Sequence, residues 1–190
     1  MKVDGFTQTY NGITRRIITD CYVSESIDPD EPSTEIGNKT KYKALWDTGA
    51  TISMIDQKVA KDLGLLPSNM GRIYHANGSD IVPRHKVCLT LPNGVSYPNI
   101  DVFEGKLDDC DVLFGMDIIS KGDFSITYKD GKTIFSIQMP STHTIDFVDE
   151  IKDAKKYLRI YKSRKKHGNE KCPCGSNKFF KNCHGKYFIE

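Results

Sequence analysis

At 190 residues the chain suits one core of ordinary size plus a small appendage. Hydrophobic residues at 38% and charged residues at 27% exclude a disordered or collagen-like polymer. The apolar runs are too short for a membrane-spanning helix, and residues 1–10 hold no apolar stretch of signal-peptide type, so a cytoplasmic protein without membrane partners is expected.

The net charge of +2 conceals an asymmetry. Residues 1–149 carry 15 Lys and Arg against 21 Asp and Glu, whereas residues 150–190 carry 12 against 4. A basic tail on an acidic body fits either an anionic partner or a plain solvated surface. Of six cysteines, Cys172, Cys174 and Cys183 crowd into the last twenty residues at metal-ligand spacing, and Cys21, Cys88 and Cys110 read as reduced thiols.

In chain order, residues 12–23 and 41–46 are rich in β-branched and aromatic residues and predict two strands, joined by a polar loop over residues 24–40 that holds two prolines. A β-like run at 51–55 leads into a short helix at 56–64, with Asp56 as cap in front and Gly64 as stop behind. Strands follow at 72–75, 80–91 and 95–103, separated by Asn77-Gly78 and Asn93-Gly94, dipeptides that tolerate the positive φ of hairpin turns. Residues 116–121 suit a helical turn, and 123–139 two strands about Asp130-Gly131. The chain up to residue 140 is therefore mainly β.

Beyond it, Phe147, Ile151, Ala154, Leu158 and Tyr161 recur at helical spacing with basic residues between them. Thr144 or Asp146 can cap this helix, and Arg164, Lys165, Lys166 and Gly168 suit its last turn. Two heptads of apolar stripe are too few for a coiled coil, and packing against the chain's own body is expected.

Two groups of residues carry chemistry. In Ala44-Leu45-Trp46-Asp47-Thr48-Gly49-Ala50-Thr51 an apolar strand runs into a carboxylate and then a glycine turn, an order that leaves Asp47 at the floor of a cleft; a capped turn with a solvated aspartate is the bland alternative. Downstream, Asp111-Val112-Leu113-Phe114-Gly115-Met116-Asp117 supplies an apolar-apolar-glycine segment. In the tail, Cys172, Cys174, Cys183 and His184 offer three thiolates and an imidazole within thirteen positions, a donor set suited to tetrahedral zinc.

The order of Asp-Thr-Gly-Ala, helix, Asn-Gly hairpin, apolar-apolar-Gly-x-Asp and final hairpin, over about residues 12–140, resembles the retropepsin-like aspartic proteases, particularly their non-viral branch. That resemblance implies a closed β-barrel acid-protease fold, an obligate homodimer and a peptide or protein substrate. It implies Asp47, Thr48 and Gly49 as the catalytic turn, with the Thr48 hydroxyl bracing the dimer. Leu113, Phe114 and Gly115 would support the site from behind, and Ala76, Asn77, Gly78 and Ser79 would form the flap tip. Trp46 is bulkier than the usual residue before the aspartate, and the flap tip lacks the glycine-rich viral sequence. With a single Asp-Thr-Gly in the chain, the second carboxylate comes from a second copy.

The tail resembles the SEC-C motif, which implies structural zinc on Cys172, Cys174, Cys183 and His184 in a small knuckle and a bacterial or phage source, whereas the aspartic-protease resemblance implies no cofactor for catalysis. The expected layout is a protease domain at 1–140, a basic helical linker at 141–168 and the zinc motif at 169–190. The leading expectation is an aspartic endopeptidase whose tail docks a partner or substrate: a ribosome, RNA or acidic protein. A catalytically silent dimeric binding module is the alternative.

Overall fold

The computed structural model describes residues 3–26, 39–76, 78–163 and 170–188. The predicted turn residue Asn77, most of the polar loop over 24–40, and Arg164, Lys165, Lys166 and Gly168 of the expected helix end lie outside the described residues. Two compact units emerge, one up to Thr142 and one from His143.

In the first unit the strands are β1 (Asp4–Tyr10), β2 (Ile18–Glu25), β3 (Thr40–Trp46), β4 (Met54–Asp56), β5 (Asn69–His75), β6 (Gly78–Thr90), β7 (Ser96–Gly105), β8 (Val112–Phe114), β9 (Asp123–Lys129) and β10 (Lys132–Met139). Two short helices, α1 (Gln57–Asp62) and α2 (Met116–Ile119), interrupt them. One sheet has the order β2-β3-β8-β4-β7-β6-β5, with β2 also pairing β6, so that six of its strands have a partner on both sides; the other is β1-β10-β9. The unit is mainly β, as its alternating sequence predicts.

Period-two alternation places the core. Cys21 and Val23 of β2, Ala44 of β3, Ile55 of β4, Val87 and Leu89 of β6, Val102 of β7 and Val112 of β8 are all fully buried, while Asp20 and Tyr22 of β2 and Lys43 and Leu45 of β3 are more open to solvent. Trp46 ties the small sheet to the large one. Its ring lies 4.9 Å from Phe114, 5.0 Å from Phe135 and 6.2 Å from Phe6, and its indole N–H donates to Thr19 Oγ1 at 2.9 Å. The bulk of Trp46 is thus structural, filling the junction in front of Asp47.

Local signals fall where the chemistry puts them. Asp56 Oδ1 accepts the Lys58 amide at 2.9 Å as the α1 cap, and Gly64 stops the helix at φ +62°. Asp130 and Gly131 both take positive φ in the β9–β10 hairpin. Strand β1 is the addition that the sequence did not suggest. Only Phe6 and Tyr10 of its seven residues turn inward, so it reads as polar chain until its partner β10 is in place.

The second unit holds α3 (Phe147–Ser163), capped by Asp146, whose Oδ1 accepts the Val148 and Asp149 amides. The buried side of α3 meets the cysteine tail. Tyr161 stacks on Phe180 at 4.0 Å and Tyr157 lies 4.4 Å from the His184 ring. Helix and tail therefore share one small core of Tyr161, Cys172 and Phe180, flanked by Tyr157, Leu158, Cys174 and Cys183. Among the described residues no helix is long and apolar enough to cross a membrane.

Candidate active site and metal centre

Asp47 stands where β3 ends. β8 inserts between β3 and β4, parallel to the first and antiparallel to the second. The Phe114 carbonyl at the end of β8 accepts the Asp47 amide at 3.0 Å. The turn then closes on its own aspartate: the Gly49 amide donates to Asp47 Oδ1 at 2.8 Å and the Ala50 amide to the Asp47 carbonyl at 3.2 Å. Asp47 is left half-buried, with Thr48 and Gly49 exposed at the tip.

A second layer of bonds fixes the descending chain. Met116 donates its amide to the Ala50 carbonyl at 2.8 Å and Asp117 to the Thr51 carbonyl at 3.2 Å. The fully buried Ser53 accepts the Gly115 amide at 3.1 Å and donates its hydroxyl to Asp117 Oδ1 at 2.8 Å. Gly115 has no room for a side chain, since a Cβ there would sit 2.7 Å from the Ile52 carbonyl carbon. The Leu113, Phe114 and Gly115 segment thus lies directly against the aspartate turn. Ser53 and Asp117 belong to the same brace; the sequence presents them only as a serine in a β-like run and the acid of the Gly-x-Asp pattern.

Facing this turn is the hairpin of β5 and β6, paired from Asn69↔Arg84 to His75↔Gly78. A cleft of about 350 Å³ runs between residues 49–52 and residues 72–74, with Met54 and Phe103 also lining it. Gly71 lets the hairpin close on Phe103, because a Cβ there would meet the Phe103 ring at 2.4 Å. Of the predicted flap tip, Ala76, Gly78 and Ser79 lie at the hairpin end, and Ser79 Oγ accepts from the Arg72 guanidinium at 3.0 Å. His75 and Asp80 pair at 2.9 Å beside them. The cleft residues Ile52, Met54, Ile73 and Phe103 carried no sequence signal beyond strand-like apolarity, because only the fold brings them together.

In the second unit all four predicted metal ligands converge, with donor atoms within 4.8 Å of one another. Cys172 Sγ lies 3.2 Å from His184 Nδ1, Cys183 Sγ 3.4 Å from the same nitrogen, and Cys174 Sγ 3.7 Å from Cys183 Sγ. Tetrahedral zinc, with bonds of about 2.3 Å to sulfur and about 2.0 Å to nitrogen, has edges of about 3.5 to 3.8 Å, close to these three separations, so the donor set fits that ion in chemistry. Hydrogen bonds from Ser176 hold the Cys174 thiol down at about 6, favouring the thiolate that a metal requires. Burial pushes the Cys172 thiol up.

Residues 33–121 match the gag-polyprotein putative aspartyl protease family, and residues 169–186 match the SEC-C motif. The chain carries a retropepsin-like domain and a SEC-C motif. No curated protein matches it. Among solved structures, a retropepsin-like aspartic protease from Rickettsia conorii is 14% identical, with 73% of this chain and 97% of that one covered and a TM-score of 0.46. The retroviral protease-like domain of Ddi1 from Leishmania major is 16% identical, covering 65% and 95%, with a TM-score of 0.41. The simian foamy virus protease is 17% identical, covering 54% and 91%, with a TM-score of 0.36. Within the retropepsin-like match fall the aspartate turn, the hairpin and the Leu113-Phe114-Gly115 segment.

Proposed function

We propose that the chain is an aspartic endopeptidase acting as a homodimer, with one Asp47 from each copy, and that its zinc-bearing unit docks a partner or substrate. The observation that carries this reading is the placement of Asp47. A backbone-anchored carboxylate lies two residues ahead of residues 49–52, which form one wall of a cleft whose other wall is the β5–β6 hairpin. In this reading the circuit of paired strands from β2 through β6 is the closed barrel, and the exposed Thr48 tips brace the two copies across a twofold axis.

The chemistry follows from charge. Two carboxylates about 3 Å apart cannot both ionise, the rule that governs aspartic proteases as a class, so the pair retains one proton. The ionised Asp47 takes a proton from a water that attacks the peptide carbonyl, and the protonated one donates a hydrogen bond to the developing oxyanion. A proton then passes to the departing amine, the C–N bond breaks, and the pair returns to its singly protonated state. The apolar Met54 and Phe103 side chains of the cleft would exclude water beside the scissile bond. Zinc on Cys172, Cys174, Cys183 and His184 would have a folding role, with all four positions filled by protein ligands.

Asp47→Asn is the direct test. It should abolish cleavage of peptide substrates while leaving the thermal transition and the sedimentation profile intact, because amide and carboxylate differ little in volume. Cleavage by purified Asp47→Asn at the wild-type rate would refute the assignment.

A further inference from the structure

We propose that the exposed cationic side of α3 is a docking strip for the phosphate backbone of a single-stranded nucleic acid. This names a partner class for the docking role above and does not depend on the peptidase reading. At 3.6 residues per turn, Lys152, Lys155, Lys156, Arg159 and Lys162 fall within an arc of about 120° and span about 15 Å of helix axis. All five are exposed. The opposite side of α3 is occupied by the tail, through Tyr157, Leu158 and Tyr161, with Ala154 fully buried on the same side, so the strip faces away from the zinc ligands.

The cations are available. Among the described residues, Lys152 alone of the five enters an ion pair, with Asp149 at 2.8 Å, and both side chains are about 70% exposed, so solvent screens the pair. Glu150 is turned to the Tyr187 hydroxyl. Lys155 and Lys156 are adjacent, about 1.5 Å apart along the axis, and the other successive cations stand about 4.5 Å apart, against about 3.4 Å between the charges of one nucleic-acid strand.

The character of the strip selects the partner. Protein interfaces centre on apolar side chains with charge at the rim. From residue 152 to residue 163 the arc holds cations and Ser163 but no apolar side chain; the exposed Phe147, Val148 and Ile151 precede it. A run of positive charge without an apolar centre fits a charged polymer, bound through its backbone and without sequence preference.

The test uses the full-length, zinc-loaded Asp47→Asn chain, so that peptidase activity has no bearing on the result, and a fluorescein-labelled single-stranded RNA followed by anisotropy. Affinity should fall log-linearly with salt. The combined Lys155→Gln, Arg159→Gln, Lys162→Gln variant should weaken binding at least about tenfold at low salt and reduce the salt slope by about 2, at about 0.7 per lost contact. Zinc content and far-UV circular dichroism should stay at wild-type values; if that variant misfolds, Lys152→Gln with Lys156→Gln on the same arc makes the same demand. Absence of RNA binding at low salt, or undiminished binding by a folded variant, would overturn the proposal. So would displacement of the RNA by polyglutamate at equal charge concentration, which would indicate an acidic protein instead.

Discussion

Gly115 and Ser53 show how much of the aspartate turn depends on single atoms. A Cβ at Gly115 would press on the backbone of Ile52, which adjoins the two carbonyls bonded to α2 and cannot yield as a side-chain tip could. Gly115→Ala should therefore cost about 1 to 3 kcal/mol or more, read as a lower urea midpoint at unchanged slope. Ser53→Ala removes no bulk of consequence but leaves the buried Gly115 amide without its acceptor, for about 1 to 3 kcal/mol. A Ser53→Ala midpoint within error of wild type would show that water or backbone movement replaces the hydroxyl. Asp47 was legible in the sequence because strand, acid and glycine are contiguous there. The Ser53, Gly115 and Asp117 brace was only half legible, since Ser53 stands 64 positions from Asp117 and no local periodicity links a buried serine to an aspartate.

Among the elements, strands bounded by turn chemistry were readable and strands defined by their partners were not. β6, β9 and β10 follow from Asn-Gly and Asp-Gly dipeptides, whereas β1 is polar on both faces except at Phe6 and Tyr10. Helix α3 was readable from its apolar spacing, but its covering partner proved to be the cysteine tail, which follows it in sequence only after a polar stretch. On the β2–β3 ladder Asp20 makes ion pairs with both Lys41 and Lys43, at 2.8 and 2.6 Å, and their hydrogen bonds hold its carboxyl below the usual range. A depressed folded-state value means stability that is fully present above the unfolded carboxylate pKa of about 3.9 and lost as pH falls through the folded value. Asp20→Asn should lower the thermal midpoint modestly at neutral pH, as befits a partly exposed pair, and the difference from wild type should vanish in strong acid. A difference that stays constant with pH would assign the effect to the amide and not to charge.

At the scale of the molecule, the proposed zinc-bearing unit and the proposed protease unit make separable demands. Because the small core of the second unit consists of α3 side chains, Phe180 and the cysteines proposed to hold zinc, chelation should reduce helical circular dichroism and the metal content together, while a short peptide is still cleaved. On the proposed reading the first unit makes a different demand, for a second copy of the chain. If each site needs one Asp47 from each copy, an Asp47→Asn chain that still dimerises is a poison for wild type, and random exchange fixes by how much. At a ninefold excess of the variant only about one-tenth of wild-type chains would find a wild-type partner, so activity at constant wild-type concentration should fall to about one-tenth. The same excess of a variant unable to dimerise should leave activity unchanged, and dilution of wild type alone should lower its specific activity. Titration of Asp47→Asn into wild type, after time for subunit exchange, measures this directly. Activity indifferent to the excess would mean that a single copy holds a complete site, and the second carboxylate would then have to be sought within the chain.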